Sequence, residues 1–138
     1  MQSCIFCKII SKEIPANIVY EDDATLATLD IHPSAPGHTM VIPKKHGISI
    51  LDYSREELGL IMSTVQKAAK AIEITLKCDA ITIGINHKEK LGVKHLHIHL
   101  IPRKDDDKGR PIQGVVKILP SEDIQETRKK IQEAMLNI

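Results

Sequence analysis

Residues Gly92 to Lys104 read GVKHLHIHLIPRK, and three of the chain's seven histidines stand there at every second position: His95, His97 and His99, with Leu96, Ile98 and Leu100 between them. Alternation is the period of a β-strand, so the spacing predicts a strand over 94–101, histidines on one face and aliphatic residues on the other. At a rise of about 3.3 Å per residue, neighbours in the row are ~6.6 Å apart and the outer pair ~13 Å, too far for all three to share one metal ion. Adjacent members can bracket an anionic group, or one can take a metal while the next does chemistry. A solvated face would be served equally well by Thr, Lys or Glu. Here every polar position carries the one side chain that titrates near neutral pH, which points to phosphate or metal chemistry.

The aliphatic face of this strand needs a cover, and residues 54–77, SREELGLIMSTVQKAAKAIEITLK, supply a helix for it. Ser54 and Glu57 form a capping-box pattern, and Leu58, Ile61, Met62, Val65, Ala69, Ile72 and Leu76 mark one face. Working outward, a short helix is expected over 4–11 with Ser3 as its cap. Strands are expected at 18–21 and 25–30, joined by the acidic turn Glu21-Asp22-Asp23. A Pro- and Gly-containing loop feeds another at 38–42. AITIGI (80–85) is a strand by its β-branched content, VVKIL (115–119) a short one, and Ser121 opens a final helix running nearly to the end. The order predicts a single α+β domain over 1–138: a mainly antiparallel sheet, a long covering helix, and short N-terminal and C-terminal helices.

The chain is large enough to bury a core without disulfides. Its 42% hydrophobic and 27% charged residues are those of an ordinary folded domain. One Phe, two Tyr and no Trp leave the core, and any ring pocket, to Ile, Leu and Val. A net charge of +1 with interspersed Lys and Glu argues against nucleic acid as a partner. No run approaches the ~20 apolar residues of a membrane span, and the start lacks a leader pattern, so a cytoplasmic protein with no membrane partner is expected. Cys4 and Cys7 make a Cys-x-x-Cys pair, open to three readings: two small core side chains, a redox dithiol, or two thiolate ligands of a zinc ion that needs two more. Cys78 reads as a small apolar filler. The carboxylates of KDDDKGR (104–110) could suggest Mg²⁺ but read as a solvated loop.

His-Leu-His-Ile-His-Leu-Ile (95–101) resembles the signature of the histidine-triad (HIT) nucleotide hydrolases and transferases, in which three histidines alternate with apolar residues. The likeness extends over roughly residues 4–103, through CIFCKIISKEIP, VYEDDATLATLDIHPSAPGHTMVIPKKH and IPR. It is nearest to the bacterial, zinc-containing members of the Hint-like branch.

That resemblance implies a HIT-like fold and a chemistry. His97, the middle histidine, attacks the α-phosphate and carries the nucleotidyl group until water releases a nucleoside monophosphate, with His99 binding the phosphate or bridging atom. Imidazole suits this because its neutral form is nucleophilic near pH 7. The resemblance also implies a structural zinc held by Cys4, Cys7, His46 and His95, and a purine nucleotide pocket formed by Phe6, Ile9, Ile14, Leu29, Asp30 and Ile31. In that pocket Asp30 would accept the ribose hydroxyls. By residue type alone the apolar members are equally core residues, and Asp30 a turn-capping carboxylate before Pro33. Asn86 matches a family asparagine near the phosphates.

The chain departs from the family just before the triad. Leu91 and Gly92 stand where Gln and Ser/Thr are usual, and the segment from Asn86 to His95 is one or two residues short. Backbone N–H groups of Gly92 and Val93 are then the available donors, and losing one side-chain donor to a transition state costs about 10²–10³ in rate. The expected activity is hydrolysis of nucleoside phosphoramidates, adenylates or dinucleoside polyphosphates by a homodimer. The competing readings are a nucleotide-binding protein of the same fold with little turnover, and a zinc-dependent structural or sensory module.

Overall fold

The computed structural model describes residues 3–138, so Met1 and Gln2 of the expected 1–138 domain lie outside the described residues. In order, the elements are α1 (Ile5–Ile10), β1 (Ile18–Glu21), β2 (Thr25–Leu29), β3 (Thr39–Pro43), α2 (Arg55–Leu76), β4 (Ala80–Gly84), β5 (Ile98–Arg103) and α3 (Ile124–Leu136), with 3-10 turns at Ile50–Asp52 and Ile112–Val115. The strands form one sheet in the order β1-β2-β3-β5-β4, every pair antiparallel. The β1–β2 turn is built by Asp22, whose Oδ1 accepts the N–H groups of Ala24 (2.9 Å) and Thr25 (2.8 Å).

The sheet is covered on both faces. On one, Ala27, Val41, Leu96, Ile98 and Leu100 pack with Tyr53 and with Ile61, Val65 and Ile72 of α2. Each such aliphatic side chain stabilises the fold by about 1.5–3 kcal/mol when fully buried. On the other, Leu26, Met40 and Ile42 pack against Phe6 and Ile9 of α1. The alternation read from the sequence thus holds: Leu96, Ile98 and Leu100 are all at most 2% exposed, on the α2 side.

α2 starts at the expected capping box. Ser54 Oγ accepts the Glu57 N–H (3.2 Å) and Glu57 Oε2 accepts the Ser54 N–H (2.7 Å). It ends at Lys77, left-handed with φ 50°. Its buried stripe is Ile61, Thr64, Val65 and Ile72, and the Thr64 hydroxyl is paired with that of Thr25 at 2.7 Å. Met62, expected on this face, is 52% exposed, and Leu76 lies at its rim. Thr64 lies inward by its helical spacing from Ile61, and pairing with Thr25 satisfies its buried hydroxyl.

Other departures have equally local causes. Cys4, rather than Ser3, caps α1, its Sγ accepting the Cys7 N–H at 3.5 Å. The final helix starts two residues after Ser121 at the cap Asp123. The triad strand runs from Ile98 to Arg103 rather than over 94–101; β3 meets it over Val41↔Ile98, Met40↔His99 and Thr39↔Leu100, and beyond that point the Pro43 carbonyl takes the His95 side chain instead of a backbone N–H. No strand forms at 115–119. Val115, Val116, Ile118 and Leu119 are 69–88% exposed and pair with neither edge strand, β1 nor β4, and without such pairing β-branched content makes no strand.

Candidate functional site

Two clusters grow from the triad segment. In the first, Cys4, Cys7, His46 and His95 each offer one ligand atom, all within 4.8 Å of one another. α1 brings the two thiols. The loop after β3 brings His46, held by the Tyr53 hydroxyl donating to the Lys45 carbonyl (2.9 Å) and by the Leu96 N–H donating to the Gly47 carbonyl (2.7 Å). Cys4 Sγ lies 3.4 Å and Cys7 Sγ 3.6 Å from His95 Nδ1, Cys7 Sγ 3.3 Å from His46 Nδ1, and the two Nδ1 atoms are 3.2 Å apart.

A tetrahedral ion with sulfur at ~2.3 Å and nitrogen at ~2.0–2.1 Å sets its ligand atoms about 3.3–3.8 Å apart, so these side chains fit zinc in number, type and spacing. His95, 1% exposed, donates from Nε2 to the Pro43 carbonyl at 2.8 Å. That bond fixes its tautomer and turns an unprotonated Nδ1 toward the cluster. Burial holds His95 below its ordinary pKa, and burial next to Cys4 pushes the Cys7 thiol up. Without a cation this pocket therefore favours neutral groups.

The second cluster is His97, His99, His38 and Asp30. A carbonyl only accepts, so the 2.7 Å contact of His97 Nδ1 with the His95 carbonyl puts the proton on Nδ1 and leaves Nε2 with a free lone pair. The Phe6 ring stands edge-on to His97, centroids 5.1 Å apart, and His99 flanks it at 4.9 Å. His99 is tautomerically fixed from behind. The Ser34 N–H donates to His38 Nδ1 (3.0 Å), so neutral His38 carries its proton on Nε2 and gives it to His99 Nδ1 at 2.8 Å. His99 is then left with an Nε2–H. Burial, followed by the neighbouring His97 and His38, holds His99 down to about 4, and burial also lowers His38 against the pull of Asp30. Both rings are neutral at physiological pH.

The remaining expected residues fall at different distances from this centre. Phe6 and Ile9 are buried members of the α1-side core, with Ile14 and Val93 packed against it. Leu29 and Ile31 are 37% and 70% exposed. Asp30 is 15% exposed; its Oδ1 accepts the His32 N–H at 2.8 Å, closing the turn, and its Oδ2 lies 3.6 Å from His38 Nε2 and 4.0 Å from His99 Nδ1. Asn86, Gly92 and Val93 line a small cavity with His97. Gly92 has φ 119°, a backbone that a side chain would strain, and Leu91 is 83% exposed.

Sequence reasoning missed His38. The signal was present in GHTMVI, where His38, Met40 and Ile42 share a face by alternation. Only the pairing of Met40 with His99 turns that face toward the triad.

Comparison with known proteins follows the same lines. The HIT domain family matches residues 11–106. The adenosine 5'-monophosphoramidase of Saccharomyces cerevisiae is 41% identical over 108 residues, 78% of this chain and 66% of the yeast protein. Among solved structures, a HIT family protein from Bacillus anthracis superposes with a TM-score of 0.84 at 37% identity, covering 98% of this chain and 96% of that one. A zinc-bound histidine triad family protein from Mycobacterium smegmatis superposes with a TM-score of 0.73 at 32% identity, covering 99% and 95%.

Proposed function

This chain belongs to the HIT domain family, and from that premise and the geometry of its histidines we propose that it is a single-domain nucleotide hydrolase working through a nucleotidyl-histidine intermediate. The observation that carries the reading is the His97 Nδ1–H bond to the His95 carbonyl, which leaves Nε2 unprotonated beside His99. In the first step Nε2 bonds to the α-phosphorus as the bond to the leaving group breaks. That group departs with the electron pair and takes a proton from solvent, which the second step returns. The ring, now cationic, keeps its Nδ1–H on the carbonyl, which offsets the charge. In the second step water adds to phosphorus, the P–N bond breaks, a proton goes to solvent, and a nucleoside monophosphate leaves with His97 neutral again. His99, neutral with its proton on Nε2, donates to a phosphate oxygen in both steps.

The substrates are purine nucleoside phosphoramidates, adenylates or dinucleoside polyphosphates. The named activity of the yeast relative supports the first class. The base lies against Phe6, Ile9, Ile14, Leu29 and Ile31, with Asp30 Oδ2 toward the ribose and Asn86 and the Gly92 and Val93 N–H groups toward the phosphates. A zinc ion held by Cys4, Cys7, His46 and His95 ties α1 to the triad segment, in line with the donor spacing and the zinc-bound relative. A homodimer extending the sheet agrees with β4 lying at its edge, and a cytoplasmic location with the lack of any helix, among the described residues, long and apolar enough to cross a membrane. The missing side-chain donor at Leu91 and Gly92 favours a second reading, binding with little turnover.

Mass spectrometry of the chain mixed with adenosine phosphoramidate decides between them. A nucleotidyl adduct on His97, and a loss of at least about 10³-fold in turnover for His97→Ala, are expected. Tight binding with neither adduct nor monophosphate release would overturn the hydrolase reading.

A further inference from the structure

A groove of about 510 Å³ starts at His38, His99 and Asn86 and runs over β4 and β5, toward the edge of the sheet away from β1 and β2. Ile85 and Ile101 lie along it, and Arg110, Ile112 and Val115 close it on the outside. Its size falls in the range of about 300–1,000 Å³ typical of small-molecule sites. Among the described residues no aspartate or glutamate lines it, and Arg110 is its only permanently charged side chain.

Arg110 is held there by built structure. Its carbonyl accepts from Arg103 Nη1 at 3.0 Å, and the same Nη1 donates to Thr82 Oγ1 at 3.0 Å. Asp107 grips the rest of the Arg103 fork, Nε to Oδ2 at 2.5 Å and Nη2 to Oδ1 at 2.9 Å. The Arg110 side chain then crosses the bare backbone of Gly114, where an added Cβ would stand 2.8 Å from Arg110 Cβ and 3.0 Å from its Cδ. The two arginines differ in one respect. Arg103 is saturated by its carboxylate, whereas the Arg110 guanidinium has no ion pair and no hydrogen bond among the described residues.

We propose that this groove is the leaving-group subsite of the hydrolase and that Arg110 selects leaving groups carrying a negative charge on an apolar body, the chemistry of an apolar α-amino acid bonded through its nitrogen to the α-phosphate with its carboxylate free. The inference rests on the hydrolase reading above. Departure from phosphorus toward His99 and Asn86 directs such a group into the groove. Ile85, Ile101, Ile112 and Val115 then meet the side chain and the guanidinium meets the carboxylate. The groove adds affinity and orientation; bond making and proton balance are those already given. A charge-assisted bond of this kind corresponds to about 10- to 100-fold in kcat/KM.

The test uses the full chain and three adenosine phosphoramidates, made with leucine, with leucinamide and with ammonia. The quantity read is the ratio of kcat/KM for the leucine compound to that for its neutral leucinamide counterpart. A ratio of about tenfold or more is expected for the wild type, with collapse toward one in Arg110→Gln and retention of most of it in Arg110→Lys. Arg110 is exposed, so the fold survives both substitutions, and thermal denaturation checks it. A wild-type ratio near one, or the same ratio in Arg110→Gln, overturns the assignment. Failure to hydrolyse any of the three, the ammonia compound included, overturns the hydrolase reading itself and so is distinct from a failure of the groove.

Discussion

The neutral state of His99 has a measurable cost in acid. Its imidazole titrates at about 4 in the fold, chiefly through burial, against the ordinary 6.5 of an unfolded chain. Because the folded value is depressed, the unfolded chain binds the extra proton between these two values. The contribution is fully present above pH 6.5 and is lost as pH falls through that window toward 4. At pH 4.5 an unfolded imidazole is almost wholly protonated and the folded one mostly neutral, which amounts to about 2 kcal/mol relative to pH 7. His38 and His95 shift in the same direction, and any zinc held by Cys4, Cys7, His46 and His95 would also be released in acid, so His99 must be isolated by comparison. His99→Asn serves, because its amide oxygen can still accept from His38 Nε2. Urea titrations of both proteins at pH 7 and 4.5 should show the wild type losing about 2 kcal/mol more than the variant. Equal losses, to within about 0.5 kcal/mol, would mean that His99 is already protonated at pH 4.5 in the fold, and the reading that burial holds its pKa down would fall with that.

Metal analysis of protein purified without added zinc should find about one zinc per chain, and Cys7→Ser should lose both the metal and several degrees of Tm; a metal-free wild type of unchanged stability would reject the cluster as a zinc site. Gly47→Ala places a Cβ 2.7–2.9 Å from the buried Tyr53 ring, whose hydroxyl holds the loop carrying His46, and should cost about 1–3 kcal/mol in chemical denaturation. Leu100→Ala empties a fully buried position next to His99 and should cost about 2–5 kcal/mol. Leu91→Ala, at an 83% exposed site, should change stability by no more than about 0.5 kcal/mol.

Much of this molecule is written locally. Alternation at 94–101 separates the faces of the triad strand because side-chain direction along an extended chain has a period of two, whatever it packs against. The capping box at Ser54 and Glu57 and the acidic turn at Asp22 are likewise decided within four residues of chain, and all three read correctly. Reading fails where a choice depends on a distant partner. Thr64 lies on the inner stripe of α2 with Ile61, Val65 and Ile72, where its hydroxyl is satisfied by Thr25, 39 residues away. VVKIL has strand composition but pairs with neither edge strand of the sheet.

The same division runs through the site. By itself the sequence determined the α+β order of elements, the histidine face and the residue types a zinc ion and a phosphate would need. Only the tertiary structure decided which atoms meet. It set the His95 carbonyl against His97 Nδ1, put His38 behind His99, gathered four candidate ligand atoms from the start of α1, the loop after β3 and the triad segment, and laid Arg110 over Gly114 along the groove that starts at His38 and His99. Proton position, pKa and the spacing of the Cys/His cluster depend on contacts between groups up to 91 residues apart, and such contacts exist only after the sheet has paired and closed its two cores.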